Sequence, residues 1–293
     1  MLSEKLTNSL NSLGLRADYV EDLARRTIEE DLAGGIDLTS FSTIPLIQES
    51  IAEFRSRKSG TIAGIVVAAA VLEVNGIAEY HLQVADGAQV TAGQLLISTR
   101  GNTQKLLLAE RTALNFLGRL SGIATLTHRW VAEVNDLPTI IRDTRKTTPL
   151  LRELEKFAVR MGGGMNHRMS LSDAALIKDN HIVAAGGVSQ ALKAVRDRFP
   201  DIPIEVEVDT LEQLREILDA GADLVLLDNM NIEQTKAAVF IAAGKTKLES
   251  SGGLTLENAH AYAATGVDYL AVGALTHSAP ALDIGLDFTS KER

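Results

Sequence analysis

The sequence of 293 residues contains no cysteine, no long apolar run and no basic leader segment. The absence of cysteine excludes disulfides, thiolate zinc sites and cysteine nucleophiles, and it fits a reducing compartment. No stretch approaches the roughly 18 consecutive apolar residues of a membrane span. The first residues, MLSEKLTNSLNSLG, also lack the basic and then apolar order of an export signal. We therefore expect a soluble cytoplasmic protein with no membrane partner.

Positive charge is scarce in the chain as a whole but concentrated in one segment. Lys and Arg number 29 against 38 Asp and Glu, which gives a formal net charge of -9. This balance argues against general nucleic-acid binding, which requires a broad basic surface. Residues 142–168 (RDTRKTTPLLRELEKFAVRMGGGMNHR) nevertheless carry seven Arg or Lys and one His against three acids. Such a local cluster indicates binding of a small anion.

The first part of the chain mixes helical and strand patterns. Residues 1–112 contain an amphipathic helix, turn-rich segments and short apolar strands, which predicts an α+β domain. Within it, VADGAQVTAGQLLIS (84–98) predicts a β-hairpin with Gly87 and Gly93 in the turns. From Leu106 to Asp136, apolar residues recur at spacings of three and four, which predicts a long helix.

After Pro138, short strands alternate with helical segments. The candidate strands are TIIRDT (139–144), ALIKDN (175–180), IEVEVD (204–209), LVLLDN (224–229), TKLESS (246–251) and YLAVGA (269–274). This alternation predicts a parallel sheet, and repeat units of roughly 20 to 35 residues suit a β/α barrel. The predicted fold class is therefore α/β, with an incomplete parallel β/α barrel over residues 113–278. The smaller domain, residues 1–112, is expected to be completed by residues 279–293.

The strand IEVEVD carries acids where a covered strand should be apolar. Side chains alternate along a strand, so Glu205, Glu207 and Asp209 point to the face opposite the apolar set. If the apolar set packs on the helices, these acids face the barrel lumen, where cations or hydroxyl donors must balance them. The alternative is an edge strand with one face in water.

Polar residues also occupy the ends of successive strands, where barrel enzymes place their chemistry. Lys178, Glu207, Asp228, Ser251 and Gly273 all fall at or just after such an end. Asp228 has a structural alternative as a helix N-cap. However, Asn231 and Gln234 already form a plausible capping box, which leaves Asp228 available for function.

Two glycine-containing turns follow the last two strands. Ser251-Gly252-Gly253 precedes one helix, and Gly273-Ala274 precedes the next segment. Backbone N–H groups in such turns can bind a phosphate, and the last strands of a barrel are its usual phosphate site. A phosphorylated ligand is therefore expected.

Several long motifs resemble one known family. AERTALN, IRDTRKT, GGGMNHRMSLSDAALIKDNHI, EVEVDT, LLDN, ESSGG and GVDYLAVGALTHS closely resemble, in order and spacing, the quinolinate phosphoribosyltransferases. The resemblance runs from EEDLAGGIDLTS near the N-terminus to LDIGLDF near the C-terminus. It implies a decarboxylating transfer from phosphoribosyl pyrophosphate to quinolinate, a pyridine with two adjacent carboxylates, giving nicotinate mononucleotide.

The resemblance also implies residue roles. Arg111, Arg145, His167 and Arg168 would hold the quinolinate carboxylates, Lys146 and Lys178 would lie between the acid and the pyrophosphate, and Thr144 would line the substrate site. Glu207 and Asp228 would hold the ribose hydroxyls and Mg²⁺, and these two acids together with Lys146 and Lys178 would be the catalytic residues. Ser251, Gly252, Gly253, Gly273 and Ala274 would bind the 5-phosphate.

In the family, an arginine equivalent to Arg111 comes from the neighbouring subunit, so the resemblance implies a homodimer or higher oligomer with shared active sites. By contrast, Arg152, Lys156 and Arg160 recur every four residues, and this stripe is interpreted as a solvated or interface face.

Three alternatives remain open from the sequence. A related phosphoribosyltransferase could act on another anionic aromatic acid. A barrel lyase could use Lys178 as a Schiff-base lysine, although the adjacent Asp179 is expected to keep that lysine protonated. A non-catalytic phosphate-binding module would leave Glu207 and Asp228 without a role.

Overall fold

A computed structural model describes residues 1–289, which form two compact units. One unit comprises residues 1–126, residues 153–163 and the described residues from Ser278 onward. The other comprises residues 127–152 and 164–277. The boundary predicted at residue 112 falls inside a helix, Thr103–Glu133. Residues 279–293 are predicted to complete the smaller domain, and residues 290–293 of this segment lie outside the described residues.

The first unit is an α+β arrangement. Its elements are α1 (Glu4–Ser12), α2 (Ala17–Leu32), α3 (Leu38–Thr43), β1 (Glu49–Ser56), β2 (Gly60–Thr61), α4 (Ile65–Val74), β3 (Glu79–Leu82), β4 (Gln89–Val90), β5 (Leu95–Asn102), α5 (Thr103–Glu133), α6 (Arg152–Met161) and β12 (Ile284–Thr289). The last residues of α5 and the first residue of α6 belong to the other unit. Strands β12, β1, β5 and β3 form an antiparallel sheet in that order.

The core of this unit contains α4, whose sequence IVVAAAVLEV is apolar around nearly the whole helix. Such a helix is stable only when it is covered on every side. Eight of its ten residues, from Ile65 to Leu72, are buried. Its N-cap is Gly64, which has no capping side chain, so the N-terminal N–H groups of the helix are satisfied from elsewhere. The Asp86 carboxylate accepts hydrogen bonds from the backbone N–H groups of Ile65 at 3.0 Å and Val66 at 3.4 Å.

The predicted hairpin over residues 84–98 is wrong. Gly87 and Gly93 do adopt the positive φ of turn glycines, 88° and 84°. However, β4 pairs with β2, whereas β5 pairs with β1 and β3. The turns were therefore recognised correctly, but alternation along one strand does not specify which strand it pairs with.

The basic stripe on α6 was predicted to be a solvated or interface face, and the solvated alternative is wrong, because Lys156 is fully buried. The interface alternative stays a prediction. Glu155, the neighbour of Lys156, is buried as well and forms an ion pair with Arg119 at 2.8 Å. Arg160 donates to the Leu13 carbonyl at 2.8 Å. A spacing of four residues identifies a helix face, but it does not determine whether that face meets water or protein.

The second unit contains the predicted parallel sheet. Its elements are β6 (Ile140–Arg142), β7 (Ala175–Ile177), α7 (Asp179–Ala185), α8 (Val188–Arg198), β8 (Ile204–Val208), α9 (Leu211–Asp219), β9 (Leu224–Asp228), α10 (Ile232–Ala242), β10 (Lys247–Ser251), α11 (Leu256–Ala263), β11 (Tyr269–Ala271) and α12 (Ala274–His277). The strand order is β6-β11-β10-β9-β8-β7, and every neighbouring pair is parallel. The α/β prediction of six strands in an incomplete barrel is confirmed.

One strand-like contact was not predicted. Met165 forms an isolated parallel bridge with Arg142, supported by hydrogen bonds from Met165 N–H to the Ile141 carbonyl and from Asp143 N–H to the Met165 carbonyl. The segment before His167 therefore runs beside β6. This places the Met165–Arg168 residues next to a strand of the sheet.

The acid-bearing strand β8 lies inside the sheet between β9 and β7, so the edge-strand alternative is wrong. Glu205 and Glu207 are buried at 4% and 7% exposure. Lys178 provides the predicted cation for Glu207, whereas the partner of Glu205 is the His167 ring. Asp209 follows the end of the strand and is exposed, so it does not share their environment. Among residues 1–289, no helix has the length and apolar character needed to cross a membrane.

Candidate active site

A cavity of about 550 Å³ opens at the carboxyl ends of the parallel strands, within the second unit. All six strands, or the segments that follow them, contribute to its lining. The carboxyl ends of parallel strands are where α/β barrels bind their ligands. The cavity is therefore the candidate site that this fold favours.

The structure brings nearly all of the predicted site residues to this cavity. They are Thr144, Arg145, Lys146, His167, Arg168, Lys178, Glu207, Asp228, Ser251, Gly252, Gly253, Gly273 and Ala274. Seven further lining residues were not predicted: Leu176, Leu226, Glu249, Leu254, Ala271, Val272 and His277. Of these, Glu249 carries the same sequence signal as Glu207, a carboxylate inside a strand covered on both faces.

The acidic side of the cavity is formed by two carboxylates on neighbouring strands. Glu207 Oε2 lies 2.6 Å from the Lys178 Nζ at the end of β7. Asp228, at the end of β9, accepts a hydrogen bond from Asn229 Nδ2 at 2.7 Å. Burial, followed by the charge of nearby Asp209, raises the pKa of the Asp228 carboxyl group. The site therefore concentrates negative charge that substrate or metal must balance.

Asp228 is not used to cap a helix. The Asn231 side chain accepts from Gln234 N–H at 2.9 Å, and the Gln234 side chain accepts from Asn231 N–H at 3.0 Å. These reciprocal bonds form the predicted capping box at the start of α10. The local sequence therefore leaves the Asp228 carboxylate available to the cavity.

The basic side of the cavity is formed by residues from the cluster found in the sequence. Arg168 donates from an Nη to the Ala174 carbonyl at 2.9 Å, which fixes the direction of its side chain. Burial and the neighbouring positive charge of Arg145 lower the pKa of the Arg168 guanidinium. Arg145 Nε is buried and has no hydrogen-bond partner within the described chain. Two neighbouring guanidinium groups on one cavity suit an anion with more than one negative group.

Close packing favours glycine at two positions of the glycine-containing turns. Gly252 has φ of 86°, and a Cβ at this position would overlap the Oδ1 of Asn229. Gly273 packs against Lys146, whose Cδ would lie 2.9 Å from an added Cβ. Gly253 also has positive φ, 63°, but no atom lies within 4 Å of its hypothetical Cβ. Glycine at 252 and 253 keeps side chains away from the backbone N–H groups of this turn, which lines the cavity.

Comparison with protein-family models identifies two matching domains. The model of the quinolinate phosphoribosyl transferase C-terminal domain matches residues 123–287, and that of its N-terminal domain matches residues 37–121. The chain belongs to the quinolinate phosphoribosyltransferase family.

Individual relatives agree with this family assignment. The carboxylating nicotinate-nucleotide pyrophosphorylase of Mycobacterium leprae is 52% identical over 276 residues, which is 92% of this chain and 97% of that protein. The structure of NadC from Streptococcus pyogenes superposes with a TM-score of 0.89 at 36% identity, covering 94% of this chain and 99% of that one. The nicotinate-nucleotide pyrophosphorylase of Francisella tularensis gives a TM-score of 0.89 at 38% identity, covering 93% and 96%.

Of the predicted site residues, Arg111 does not line the cavity. It is exposed on α5, in the part of that helix that belongs to the first unit. Its predicted role in binding the acid therefore stays a prediction.

The predicted Mg²⁺ can be tested against the donor atoms of the acidic side. Glu207 and Asp228 supply carboxylate oxygens, the ligand type that Mg²⁺ prefers. Mg²⁺ usually takes one or two protein carboxylates and completes its shell with water and substrate phosphate, so two acids are sufficient. Glu207 already uses Oε2 to bind Lys178, which leaves its second oxygen for such a role. The donor set therefore fits Mg²⁺.

Proposed function

We propose that this chain transfers the phosphoribosyl group of phosphoribosyl pyrophosphate to quinolinate with loss of CO₂, giving nicotinate mononucleotide and pyrophosphate. The observation that carries the proposal is that one cavity has a basic side with two neighbouring guanidinium groups, Arg145 and Arg168, and an acidic side with two carboxylates, Glu207 and Asp228. A dicarboxylate suits the first side, and a sugar that develops positive charge suits the second.

The proposed reaction uses no protein nucleophile. The C1–oxygen bond to pyrophosphate breaks and the leaving oxygen keeps the electron pair, while the pyridine nitrogen supplies the pair for the new C1–N bond. The resulting pyridinium then accepts the electrons of the breaking C–CO₂ bond, and the ring carbon finally takes a proton from solvent. Glu207 and Asp228 stabilise the positive charge at C1 because they lie in a partly buried cavity, where electrostatic effects are strong.

The remaining groups follow the charges of the two substrates. Lys146 and Lys178 face the pyrophosphate and the acid, with Thr144 beside them, and the turns Ser251–Gly253 and Gly273–Ala274 hold the 5-phosphate. Glu207 and Asp228 would hold Mg²⁺ together with substrate phosphate, and the bound ion would supply positive charge for the departing pyrophosphate oxygens. His167 contributes to the acid-binding side that includes Arg168.

The oligomer is part of the proposal. Arg111 is exposed and absent from the lining of its own chain's cavity, although its charge suits a dicarboxylate. A two-fold dimer can place such a residue reciprocally in the partner's site. We infer a homodimer or higher oligomer with shared active sites. We also propose that the protein works in the cytoplasm, because a chain without cysteine has no disulfide that reducing conditions could break.

The Schiff-base alternative is not favoured. Lys178 Nζ lies 2.6 Å from Glu207 Oε2, so the nitrogen that would have to attack a carbonyl donates a hydrogen bond to a carboxylate instead. The family membership of the chain agrees with this conclusion.

The decisive experiment is to incubate the purified protein with quinolinate, phosphoribosyl pyrophosphate and Mg²⁺ and to measure nicotinate mononucleotide and pyrophosphate. Parallel reactions with nicotinate and nicotinamide test whether the dicarboxylate is required. Formation of product from quinolinate alone is the expected result. Faster product formation from a monocarboxylate would assign the site to another pyridine acid.

A further inference from the structure

Four buried polar side chains meet beside the acid-binding side of the cavity. They are Arg142 on β6, His167, Glu205 on β8 and Glu249 on β10, and none is more than 9% exposed. His167 Nε2 lies 2.6 Å from Glu205 Oε2 and 3.5 Å from Glu249 Oε1. Glu249 Oε2 accepts from an Arg142 Nη at 2.6 Å. Burying so many polar groups costs free energy unless they satisfy one another, so the cluster calls for an explanation.

The hydrogen bonds of His167 determine which ring nitrogen carries the proton. Its Nδ1 accepts the backbone N–H of Arg168 at 2.7 Å, so Nδ1 has no proton of its own. The Nε2 position must then carry the proton, which points to the Glu205 carboxylate at 2.6 Å. Both ring nitrogens are therefore engaged by the protein.

This arrangement argues against a metal ion in the cluster. His167, Glu205 and Glu249 could in principle supply three ligand atoms within 4.8 Å of one another. However, a histidine that ligates through Nε2 normally donates its Nδ1 proton to an outer partner. Here Nδ1 faces an N–H donor instead, and the Arg142 guanidinium already neutralises Glu249.

The same contacts fix the backbone from which Arg168 projects. Asp143 is fully buried, and its Oδ1 accepts from His167 N–H at 2.8 Å. The His167 ring holds the next N–H, that of Arg168. Two successive backbone N–H groups are thus held by side chains, and the Arg168 guanidinium is directed by its bond to the Ala174 carbonyl.

We propose that Glu205 is a positioning residue for acid binding, which acts through the His167 ring to hold the Arg168 backbone at the cavity. Arg142 and Glu249 flank this contact, since they form an ion pair at 2.6 Å and Glu249 Oε1 lies 3.5 Å from the same His167 nitrogen. In this role His167 contributes by orientation and not by a hydrogen bond to the acid. The inference rests on the proposed function, because it assumes that Arg168 binds a quinolinate carboxylate.

The first test measures the wild-type protein without substrate. Two-bond proton–nitrogen correlation spectra of protein with ¹⁵N-labelled histidine distinguish the two ring tautomers, and a His167→Gln variant assigns the signal. We expect a neutral His167 with the proton on Nε2. A proton on Nδ1, or a stoichiometric change of this signal on addition of Zn²⁺ alone, would overturn the inference.

The second test compares two replacements of Glu205 by calorimetric titration of quinolinate and, separately, of phosphoribosyl pyrophosphate with Mg²⁺. Glu205→Leu removes the acceptor of the Nε2 proton, so quinolinate affinity should fall on the order of 10-fold, as when a functional histidine loses its supporting partner. Affinity for the sugar phosphate should stay unchanged. Glu205→Gln retains a carbonyl acceptor, so it should keep the Nε2 tautomer and recover most of the lost affinity.

The exposed Glu212 on α9 provides the control, because Glu212→Gln makes the same chemical change away from the cavity. If Glu205→Leu does not fold, the wild-type spectrum and Glu205→Gln still decide the question. Equal loss of both substrates in a folded Glu205→Leu would indicate a general structural role and contradict the inference. An active enzyme with the proton on Nδ1 would refute this inference alone, whereas an inactive wild type with the Nε2 tautomer would refute the proposed function instead.

Discussion

The Lys178 ammonium and the Glu207 carboxylate form a direct ion pair at 2.6 Å on the cavity. The Glu207 side chain is only 9% exposed, whereas that of Lys178 is 46% exposed. The pair therefore joins a buried charge to one that reaches solvent and substrate. From the sequence, we expect the adjacent Asp179 to keep Lys178 protonated. The residue that contacts Lys178 is instead Glu207, because β7 and β8 are neighbours in the sheet.

Replacement of Glu207 by glutamine should affect turnover more than binding. The amide keeps the shape of the side chain but removes the charge that stabilises C1 in the transition state. We expect kcat to fall on the order of 100-fold, with a smaller change in quinolinate affinity. Steady-state kinetics and calorimetry separate the two effects, with Glu212→Gln as the matched control. Wild-type turnover in Glu207→Gln would refute the catalytic role of the lumenal acid.

Arg145→Ala and Arg168→Ala should each weaken quinolinate binding selectively. Each loses a charge-assisted hydrogen bond, worth about 1.5–3 kcal/mol or roughly 10- to 150-fold in affinity. Arg145 has the additional feature of a buried Nε without a partner in the described chain. Calorimetric titrations of quinolinate and of phosphoribosyl pyrophosphate provide the measurement, and the exposed Arg215→Ala serves as control. Unchanged quinolinate affinity in both variants would disprove the assignment of the basic side.

Alanine at Gly252 should be more damaging than alanine at Gly253. Both positions have positive φ, so both substitutions carry the left-handed strain of roughly 1–2 kcal/mol. Only at Gly252 does the new methyl group also meet Asn229, which donates to Asp228. We expect Gly252→Ala to raise the KM for phosphoribosyl pyrophosphate and lower kcat well beyond Gly253→Ala. Similar kinetics in the two variants would show that Asn229 is not needed to hold Asp228.

Loss of the Asp86 side chain should destabilise the first unit. Its carboxylate accepts backbone N–H groups at the start of the buried helix α4, so Asp86→Ala leaves these donors unsatisfied at a cost of about 1–3 kcal/mol. Asp86→Asn retains one acceptor oxygen and should lose less. Urea unfolding followed by circular dichroism measures both values. Equal stability of wild type and Asp86→Ala would mean that solvent replaces the cap.

A shared active site predicts complementation between two inactive variants. Arg111→Ala and Glu207→Gln homodimers should each be nearly inactive. A mixed dimer would contain one site with both residues intact and one site lacking both, so co-refolding should restore activity towards about a quarter of wild type. Mass spectrometry confirms that mixed dimers have formed. If such dimers recover no activity, Arg111 serves the site of its own chain.

The sequence predicted the parallel sheet and its active edge because both depend on local patterns. Each of the six strands is a short segment that alternates with helical segments, and the carboxyl ends of parallel strands necessarily meet at one edge. The capping box at Asn231 was equally local, since its hydrogen bonds join residues three positions apart. For these features, spacing along the chain was sufficient.

The features that were missed all depend on contacts between distant residues. Glu205 meets His167 across 38 sequence positions, and Glu249 meets Arg142 across 107, so neither pair leaves a local signal. Burial of Lys156 has the same origin, because surrounding elements and not the helix itself decide which face is covered. The false hairpin failed for a related reason, since β4 and β5 pair with strands outside that segment.

The packing of Gly252 against Asn229 also restricts how the two positions can diverge. A side chain at 252 requires the space now occupied by the Asn229 amide, while a residue at 229 must tolerate a φ of 53° and still support Asp228. A side chain at 252 is therefore opposed by the Asn229 amide and also by its own φ of 86°, and a smaller residue at 229 removes only the first of these obstacles. We expect a library randomised at both positions to keep glycine at 252 even where residue 229 has become smaller.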